Sequence, residues 1–269
     1  MTMKIHPTAV VDPGAKLGRD VEVGPFSYIE GRVEIGDGCV IGPHVTIREY
    51  TTLGAGCRVH AGAVIGDLPQ DLGFKGGESY VRVGPNCLIR ENVTIHRGSK
   101  PGTATEVGES CFLMAGSHCA HNVRLGSRVI LANGVLLAGY VEVGERAFLS
   151  GNSMVHQFAR VGRVAMLGGG SGATKDVPPF CTLRVLMESQ IGGLNVVGMR
   201  RAGMGDAERL AVKRVFGILF RSGLNVSQAV ERIKAEYPSG PGAEMATFIE
   251  QSKRGICAYV PVLGDDPEA

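Results

Sequence analysis

The chain has no tryptophan, and aromatic residues make up only 6% of its 269 positions. A core with so few large rings must be filled by aliphatic side chains in a regular arrangement. No apolar run approaches the ~18 residues of a membrane span. Even the stretch from 129 to 141 is interrupted by Asn133 and by glycine. The sequence therefore predicts no membrane insertion.

Strong net charge and paired cysteines are also missing. The formal net charge is only +2, which argues against attraction to nucleic acid through bulk charge. The seven cysteines are odd in number and form no CxxC pair, so they indicate a reducing compartment rather than a disulfide framework. Residues 1–10 hold no apolar stretch of signal-peptide length. We expect a cytoplasmic protein that binds no nucleic acid.

Glycine, in contrast, is abundant at 40 residues, and it accompanies a repeat. From Ile5 to Leu167, every sixth residue is Ile, Leu or Val, with four exceptions: Asp71, Gly77, Pro101 and Cys119. Small residues recur four positions later in the same repeat. Glycine often follows the aliphatic residue, and we interpret it as a turn residue that tolerates unusual backbone angles.

A period of six fits neither an α-helix nor an alternating strand. It predicts short strands joined by turns, three of which close a triangular coil of 18 residues with the aliphatic and small residues inside. The fold is therefore predicted to be mainly β, a parallel β-helix over residues 1–190. The pattern breaks near 67–80 and 97–105, which predicts loops that leave the coil. Such loops on a rigid scaffold often carry function.

The repeat fades after Leu167, and Pro178-Pro179 marks its predicted end. Helical patterns follow from about residue 204, with Asp206 as a candidate N-cap, after Asn225-Val226-Ser227, and from about 241 to 254. We predict a C-terminal helical domain over residues 191–269. It is too small to hold much core alone, so it should pack on the β-helix or on a neighbouring subunit.

The seven histidines all fall outside the two inward positions of the repeat. Taken singly, a histidine there is more often a solvated turn residue. His121 differs, because Gly139 lies one 18-residue coil above it and Gln157 lies two coils above it, with His118 and His156 in the same stack. An imidazole beside a glycine N–H suits a general base next to an oxyanion donor.

Two other clusters have competing interpretations. His60 and His96 are two coils apart in the same phase, but no third ligand joins them, so we expect no metal site. Basic residues at Arg200-Arg201, Lys213-Arg214 and Arg221 form either an ordinary solvated helix face or a dock for a diphosphate or an acidic carrier protein.

Over nearly its whole length the chain resembles the UDP-N-acetylglucosamine acyltransferases of lipid A biosynthesis. The resemblance rests on ordered segments of the repeat and of the tail. These are Gln70-Asp71-Leu72, Ile89-Arg90-Glu91, Val93 to Gly98, Ala120-His121, Ile130 to Asn133, Leu137-Ala138-Gly139, Val155-His156-Gln157-Phe158, Asp176-Val177-Pro178-Pro179 and Asn195 to Arg201.

The resemblance implies a left-handed β-helix and a homotrimer with active sites between subunits. It implies transfer of an (R)-3-hydroxyacyl group from an acidic acyl carrier protein to the 3-hydroxyl of UDP-N-acetylglucosamine, the first step of lipid A biosynthesis. No cofactor is implied beyond the carrier thioester. His121 matches the general base, Gly139 the oxyanion donor, and Gly169 the position that limits acyl-chain length. The residues that match substrate contacts are Asp71, Phe74, Lys75, His96, His118, Asn122, Tyr140, His156, Gln157, Asn195 and Arg201.

The chain departs from the family pattern at several positions. Asn122 stands where aspartate is common, Tyr140 where histidine is common, Gly73 where lysine is common, and Val197 where an acidic residue is common. Several of these concern sugar recognition, so acylation of a 3-amino UDP-sugar on nitrogen remains open. An acetyl-CoA-dependent hexapeptide transferase, a zinc-dependent hydratase and an inactive scaffold also remain open.

Overall fold

Each six-residue repeat forms a short strand followed by a turn in the computed structural model of the chain, which describes residues 4–260. The register fixes the coil at 18 residues, since Ile5 pairs with Val23 and Val23 pairs with Ile41. The parallel strands stack into three sheets. The fold is the parallel β-helix that the repeat predicts, left-handed as the family resemblance implies, with α-helices towards the C-terminus.

The strands divide among the three faces of the coil as follows. The first sheet contains Lys4–Ile5, Glu22–Val23, Val40–Ile41, Arg58–Val59, Leu88–Ile89, Phe112–Leu113, Ile130–Leu131, Phe148–Leu149, Met166–Leu167, Cys181–Leu183, Gln190–Leu194 and Ala258–Tyr259. The second contains Val10–Val11, Tyr28–Ile29, Thr46–Ile47, Val64–Asp67, Thr94–His96, His118–Cys119, Leu136–Leu137, Met154–Val155 and Gly172–Ala173. The third contains Lys16–Leu17, Glu34–Ile35, Thr51–Leu53, Tyr80–Val83, Ala104–Val107, Arg124–Leu125, Glu142–Val143 and Arg160–Val161.

The core is the stack of inward aliphatic residues, with small residues beside them. Ile29, Ile47 and Ile65 follow one another on the second sheet and are fully buried. Ile5 is 41% exposed, because no coil lies beneath the first one. The seven cysteines are buried free thiols.

The structure gives a different reason from the predicted turn angles for the glycines that follow the aliphatic residues. Positive φ recurs at another phase of the repeat, as at Asp20 and Phe26. A Cβ at Gly36 would lie 2.6 Å from the Ala55 backbone nitrogen, and one at Gly108 would lie 2.6 Å from the Gly126 carbonyl carbon. Each strand does end in a turn, but Gly36 and Gly108 are not required by an unusual backbone angle. Glycine is required at these two positions because the backbone of the next coil passes too close for any side chain.

The chain leaves the coil twice. Leu53 pairs with Val83, thirty residues later, so twelve residues are inserted between Asp67 and Tyr80. Val83 pairs with Val107, so six more are inserted within 97–105. The first insertion shifts the later chain by two faces, which places Arg90, not His96, above His60. The assumption that His60 and His96 share a phase is therefore wrong.

Four helices follow the strand Gln190–Leu194 in the described residues. They are α1 (Val196–Arg201), α2 (Asp206–Arg221), α3 (Val226–Glu236) and α4 (Gly240–Glu250). The sequence did not predict α1, and α4 ends before the expected residue 254. Asp206 is the first residue of α2 rather than its cap; the Glu208 carboxylate accepts from the Gly205 N–H at 2.8 Å. None of these helices is long and apolar enough to cross a membrane.

The helices pack on the upper coils through arginines of the third sheet and its corner. Arg163 donates to the Glu244 carboxylate of α4 at 2.8 Å, and Arg160 donates to the Phe248 carbonyl at 2.7 Å. Arg160 also pairs with the buried carboxylate of Asp176. The final strand, Ala258–Tyr259, returns to the first sheet beside Gln190–Leu194. The division of the chain into two domains at residue 190 stays a prediction.

Candidate active site

His121 lies at the corner where the second sheet turns into the third. Cys119 points into the core, so the chain that follows it turns outward and presents the imidazole. Cys119 pairs with Leu137, which places Gly139 directly over the ring. A Cβ at Gly139 would lie 2.4 Å from Cε1 and 2.7 Å from Nε2 of His121. Only glycine therefore lets the backbone approach the Nε2 edge of the ring.

The other edge of the imidazole meets Asn122. Nδ1 of His121 lies 3.1 Å from Oδ1 of Asn122. In this arrangement Nδ1–H donates to the amide oxygen, and Nε2 keeps a lone pair. The ring is also in edge contact with Tyr140, at a centroid distance of 5.4 Å, and Tyr140 stacks on Phe158 at 5.0 Å. The side chain is thus held in the tautomer that a general base requires.

The backbone N–H of Gly139 is an unused donor beside Nε2. Its neighbours are engaged: the Ala138 N–H donates to the Val155 carbonyl and the Tyr140 N–H donates to the His121 carbonyl. No group among residues 4–260 accepts from the Gly139 N–H. A fixed backbone donor of this kind can stabilise a developing oxyanion.

An apolar groove of about 1000 Å³ extends upward from His121 along the second sheet. Its floor is made by outward residues in register, Leu136, then Met154, then Gly172. Leu136 and Met154 are 47% and 50% exposed. Leu186 and Met187 close the far end, where the Gly172 N–H donates to the Met187 carbonyl at 3.2 Å. An apolar chain that starts at His121 would find a continuous surface here.

Two further histidines lie at the lower end of the groove, where His118 lines it and His96 lies in the coil beneath. Nδ1 of His118 is 2.7 Å from the Thr94 hydroxyl, and its ring meets His96 edge-on at 5.0 Å. Burial, with a smaller contribution from His96, lowers the pKa of His118 to about 4. Burial likewise lowers the pKa of His96. Both rings are therefore neutral near pH 7 and offer hydrogen bonds rather than charge. Nδ1 of His96 is buried with no partner among the described residues.

The structure brings some of the predicted substrate residues together. His118, His121, Gly139, His156 and Gln157 all line the groove. Gln70, Leu186 and Met187 line it too, although the sequence did not single them out as site residues. Gln70 belongs to a segment that resembles the family, so the sequence did offer a reason to include it among the site residues. Leu186 and Met187 follow the last regular repeat, so the six-residue pattern could not predict their positions.

Other predicted residues lie away from the groove in this chain. Asp71, Phe74 and Lys75 stand on the loop between Asp67 and Tyr80, where Asp71 accepts from the Gly73 N–H at 2.8 Å. Phe74 packs under the Arg97 guanidinium. None of these three residues lines the groove.

The remaining predicted residues are at the upper end of the coil. Asn195 caps α1, since its side chain accepts from the Gly198 N–H and donates to the Val164 carbonyl. Arg201 and Val197 are exposed on α1. Gly169 does not line the groove, whereas Gly170 and Gly172 do. Across residues 4–260, no three His, Cys, Asp or Glu side chains converge as a metal site would require.

Comparisons with known proteins identify the family. Residues 176–257 match the family model described as UDP N-acetylglucosamine O-acyltransferase, domain 2. Residues 14–49 and 32–67 match the bacterial transferase hexapeptide model.

Whole-length relatives are also found. The acyl-acyl-carrier-protein–UDP-N-acetylglucosamine O-acyltransferase of Trichlorobacter lovleyi is 51% identical over 95% of this chain and 99% of its own. That of Thermodesulfovibrio yellowstonii is 41% identical over 94% and 99%. The solved UDP-N-acetylglucosamine acyltransferase of Bacteroides fragilis superimposes with a TM-score of 0.88 at 38% identity, covering 93% of this chain and 98% of that one. This chain therefore belongs to the family of UDP-N-acetylglucosamine O-acyltransferases.

Proposed function

We propose that the chain transfers an (R)-3-hydroxyacyl group from acyl carrier protein to the 3-hydroxyl of UDP-N-acetylglucosamine, the first step of lipid A biosynthesis. The names of its relatives support the reaction class. The observation that carries the proposal is the position of His121. Its free Nε2 lies beneath Gly139, whose backbone N–H is unused, at the mouth of an apolar groove.

The residues in this arrangement have distinct roles. Nε2 of His121 takes the proton of the sugar hydroxyl as its oxygen attacks the thioester carbonyl. The N–H of Gly139 donates to the oxyanion that forms. When the oxyanion collapses, the carbon–sulfur bond breaks and the imidazolium returns its proton to the carrier thiolate. A positioned base contributes about 10²–10⁴ in rate, and one oxyanion donor contributes about 10²–10³.

The groove sets the acyl length. From the coil of His118 to the coil of Gly172 there are three strand spacings, or about 14 Å at ~4.8 Å each. An extended hydrocarbon advances about 1.3 Å per carbon, given bonds of about 1.52 Å. About eleven carbons therefore fit before Leu186 and Met187. The role of Gly169 in chain length stays a prediction.

The sugar nucleotide is proposed to bind beside the groove. His118, His156 and Gln157 line it already, and His96 has an unpartnered nitrogen next to His118. Other predicted contacts lie elsewhere in the chain, and in the proposal a neighbouring copy supplies some of them. These are Asp71, Phe74, Lys75, Asn195 and Arg201.

We therefore retain the homotrimer as part of the proposal. One face of the coil suits contact between copies, because the outward residues of the first sheet are apolar and half-buried in five successive coils. These residues are Leu88, Phe112, Ile130, Phe148 and Met166.

The carrier protein is proposed to dock on the basic helices. Arg200, Arg201, Lys213 and Arg214 are exposed, and no carboxylate within residues 4–260 pairs with them. An acidic carrier would find complementary charge there. The proposal needs no cofactor besides the carrier thioester, and the buried free cysteines suit the cytoplasm.

The test is product identification by mass spectrometry. The purified oligomer is incubated with UDP-N-acetylglucosamine or its 3-amino analogue, and with a panel of 3-hydroxyacyl carrier proteins or acetyl-CoA. We expect an O-acylated UDP-N-acetylglucosamine with a chain of about a dozen carbons. Acylation of the 3-amino analogue alone would show that the amino sugar, and not UDP-N-acetylglucosamine, is the acceptor. Acetylation alone, or no product at all, would refute it.

A further inference from the structure

The short excursion of residues 98–103 is a rigid element. A Cβ at Gly98 would lie 2.4 Å from the Thr103 hydroxyl and 2.6 Å from the Thr103 carbonyl oxygen. The Thr103 hydroxyl donates to the Lys100 carbonyl at 2.7 Å, and the Gly102 N–H donates to the Glu78 carbonyl at 2.8 Å. The excursion is therefore closed on itself and attached to the first loop.

This rigid element presents Ser99 to the residue that holds His121. Ser99 is only 8% exposed. Its backbone N–H donates to Oδ1 of Asn122 at 2.9 Å, and its hydroxyl donates to the same oxygen at 3.0 Å. The Ser99 hydroxyl is also 3.1 Å from the Tyr140 hydroxyl. The backbone of Asn122 is fixed separately, by donation of its N–H to Thr105 at 2.8 Å.

The contact decides which end of the Asn122 amide faces the imidazole. A backbone N–H can only donate, so the atom that meets Ser99 must be the amide oxygen. The same oxygen lies 3.1 Å from Nδ1 of His121, so Nδ1 carries the hydrogen and Nε2 has the lone pair. A rotated amide would present its NH₂ group to Nδ1 and move the hydrogen to Nε2, which would remove the base.

An aspartate at this position would not need such support, because both of its oxygens accept and rotation changes nothing. In the neutral Asn122 only the amide oxygen, and not the NH₂ group, can accept the hydrogen of Nδ1. We propose that Ser99 is a positioning residue for the proposed acyl transfer, which locks the Asn122 amide so that Nε2 of His121 is the base. The six-residue excursion in the coil below is then part of the active site, although it does not touch the reacting atoms.

The first readout does not depend on activity. In protein labelled with ¹⁵N-histidine, NMR reports which ring nitrogen of His121 carries the hydrogen, and the His121→Gln variant identifies its signal. We expect the Nδ1–H form in the wild type. Ser99→Ala removes the hydroxyl donor but keeps the backbone N–H, so it should weaken this preference without abolishing it and give a measurable fraction of the Nε2–H form. Adding Asn122→Asp to Ser99→Ala should return the ring to the Nδ1–H form.

The second readout is kinetic. Ser99→Ala, which loses one of the two donors to the Asn122 oxygen, should lower kcat about threefold and leave the KM for the UDP-sugar unchanged. Ser99→Thr, which keeps the hydroxyl, should restore the rate, and Lys100→Ala in the same excursion is the matched control. In an Asn122→Asp background, Ser99→Ala should cost less than twofold.

An equal loss in both backgrounds, or an unchanged ring tautomer in Ser99→Ala, would overturn the positioning role. A tautomer that responds to Ser99→Ala in a protein without acyl transfer would instead reject the proposed function and leave the positioning intact.

Discussion

Substitution of Gly139 by alanine tests the close approach at the centre of the site. The added Cβ would lie 2.4 Å from Cε1 and 2.7 Å from Nε2 of His121, whereas carbon atoms pack at about 3.5–4.0 Å. The ring must therefore move by about 1 Å. It can do so only by giving up its hydrogen bond from Nδ1 to Asn122, and with it the orientation that the reaction needs.

A displacement of about 1 Å costs on the order of 10² in rate, which corresponds to about 2.7 kcal/mol of transition-state stabilisation. We expect kcat to fall at least a hundredfold. The free energy of unfolding should change little, by about 1 kcal/mol at most, because the half-exposed ring can swing away from the new methyl group.

Steady-state acyl transfer and urea unfolding measure the two quantities. The matched control is Gly151→Ala, at the same phase of the repeat, where the added Cβ would meet only the Asn133 carbonyl oxygen at an ordinary 3.5 Å. It should keep kcat within twofold. If Gly139→Ala kept a third of the wild-type kcat, the close approach would have no catalytic meaning.

Further predictions concern the groove, pH and the coil. Gly172→Leu should shorten the preferred acyl chain by about four carbons, one strand spacing, in competition assays with mixed acyl carriers. Because the pKa of His118 is about 4 in the fold and 6.5 ordinarily, the unfolded chain binds the extra proton between these values, so stability should rise with pH across this window. His118→Gln should flatten that rise in urea titrations at pH 4.5 and 7. Gly108→Ala, which would meet the next coil at 2.6 Å, should lower the free energy of unfolding by about 1–3 kcal/mol or more. Gly217→Ala, in open space within α2, should raise it by about 0.5–1 kcal/mol.

The sequence predicts the coil well, because its core repeats with the same residues at the same phase. It does not predict which face a strand joins after a loop. An insertion of six or twelve residues keeps the six-residue phase and still rotates the later chain to another face. This is why the sequence spacing suggested that His60 and His96 stack, whereas His60 follows a strand of the first sheet and His96 ends a strand of the second.

The site residues also divide into those that the 18-residue spacing predicts and those that it does not. His121 and Gly139 lie on uninterrupted coils, so 18-residue spacing predicts their contact directly. Ser99 could not be predicted, because its position depends on how the excursion closes around Gly98. Leu186 and Met187 lie in a hairpin beyond the repeat, where the antiparallel partner replaces the parallel one. Asn195 matches a family segment, yet its side chain is engaged as the cap of α1.

The central claim is that His121 supplies the base for acyl transfer. The most direct measurement is kcat of the wild type and of His121→Gln with UDP-N-acetylglucosamine and a long 3-hydroxyacyl carrier protein. His60→Gln, a corner histidine on another sheet, is the control. The account predicts a loss of about 10²–10⁴ for His121→Gln with an unchanged fold, and no loss for His60→Gln. A His121→Gln enzyme within tenfold of the wild type would contradict it.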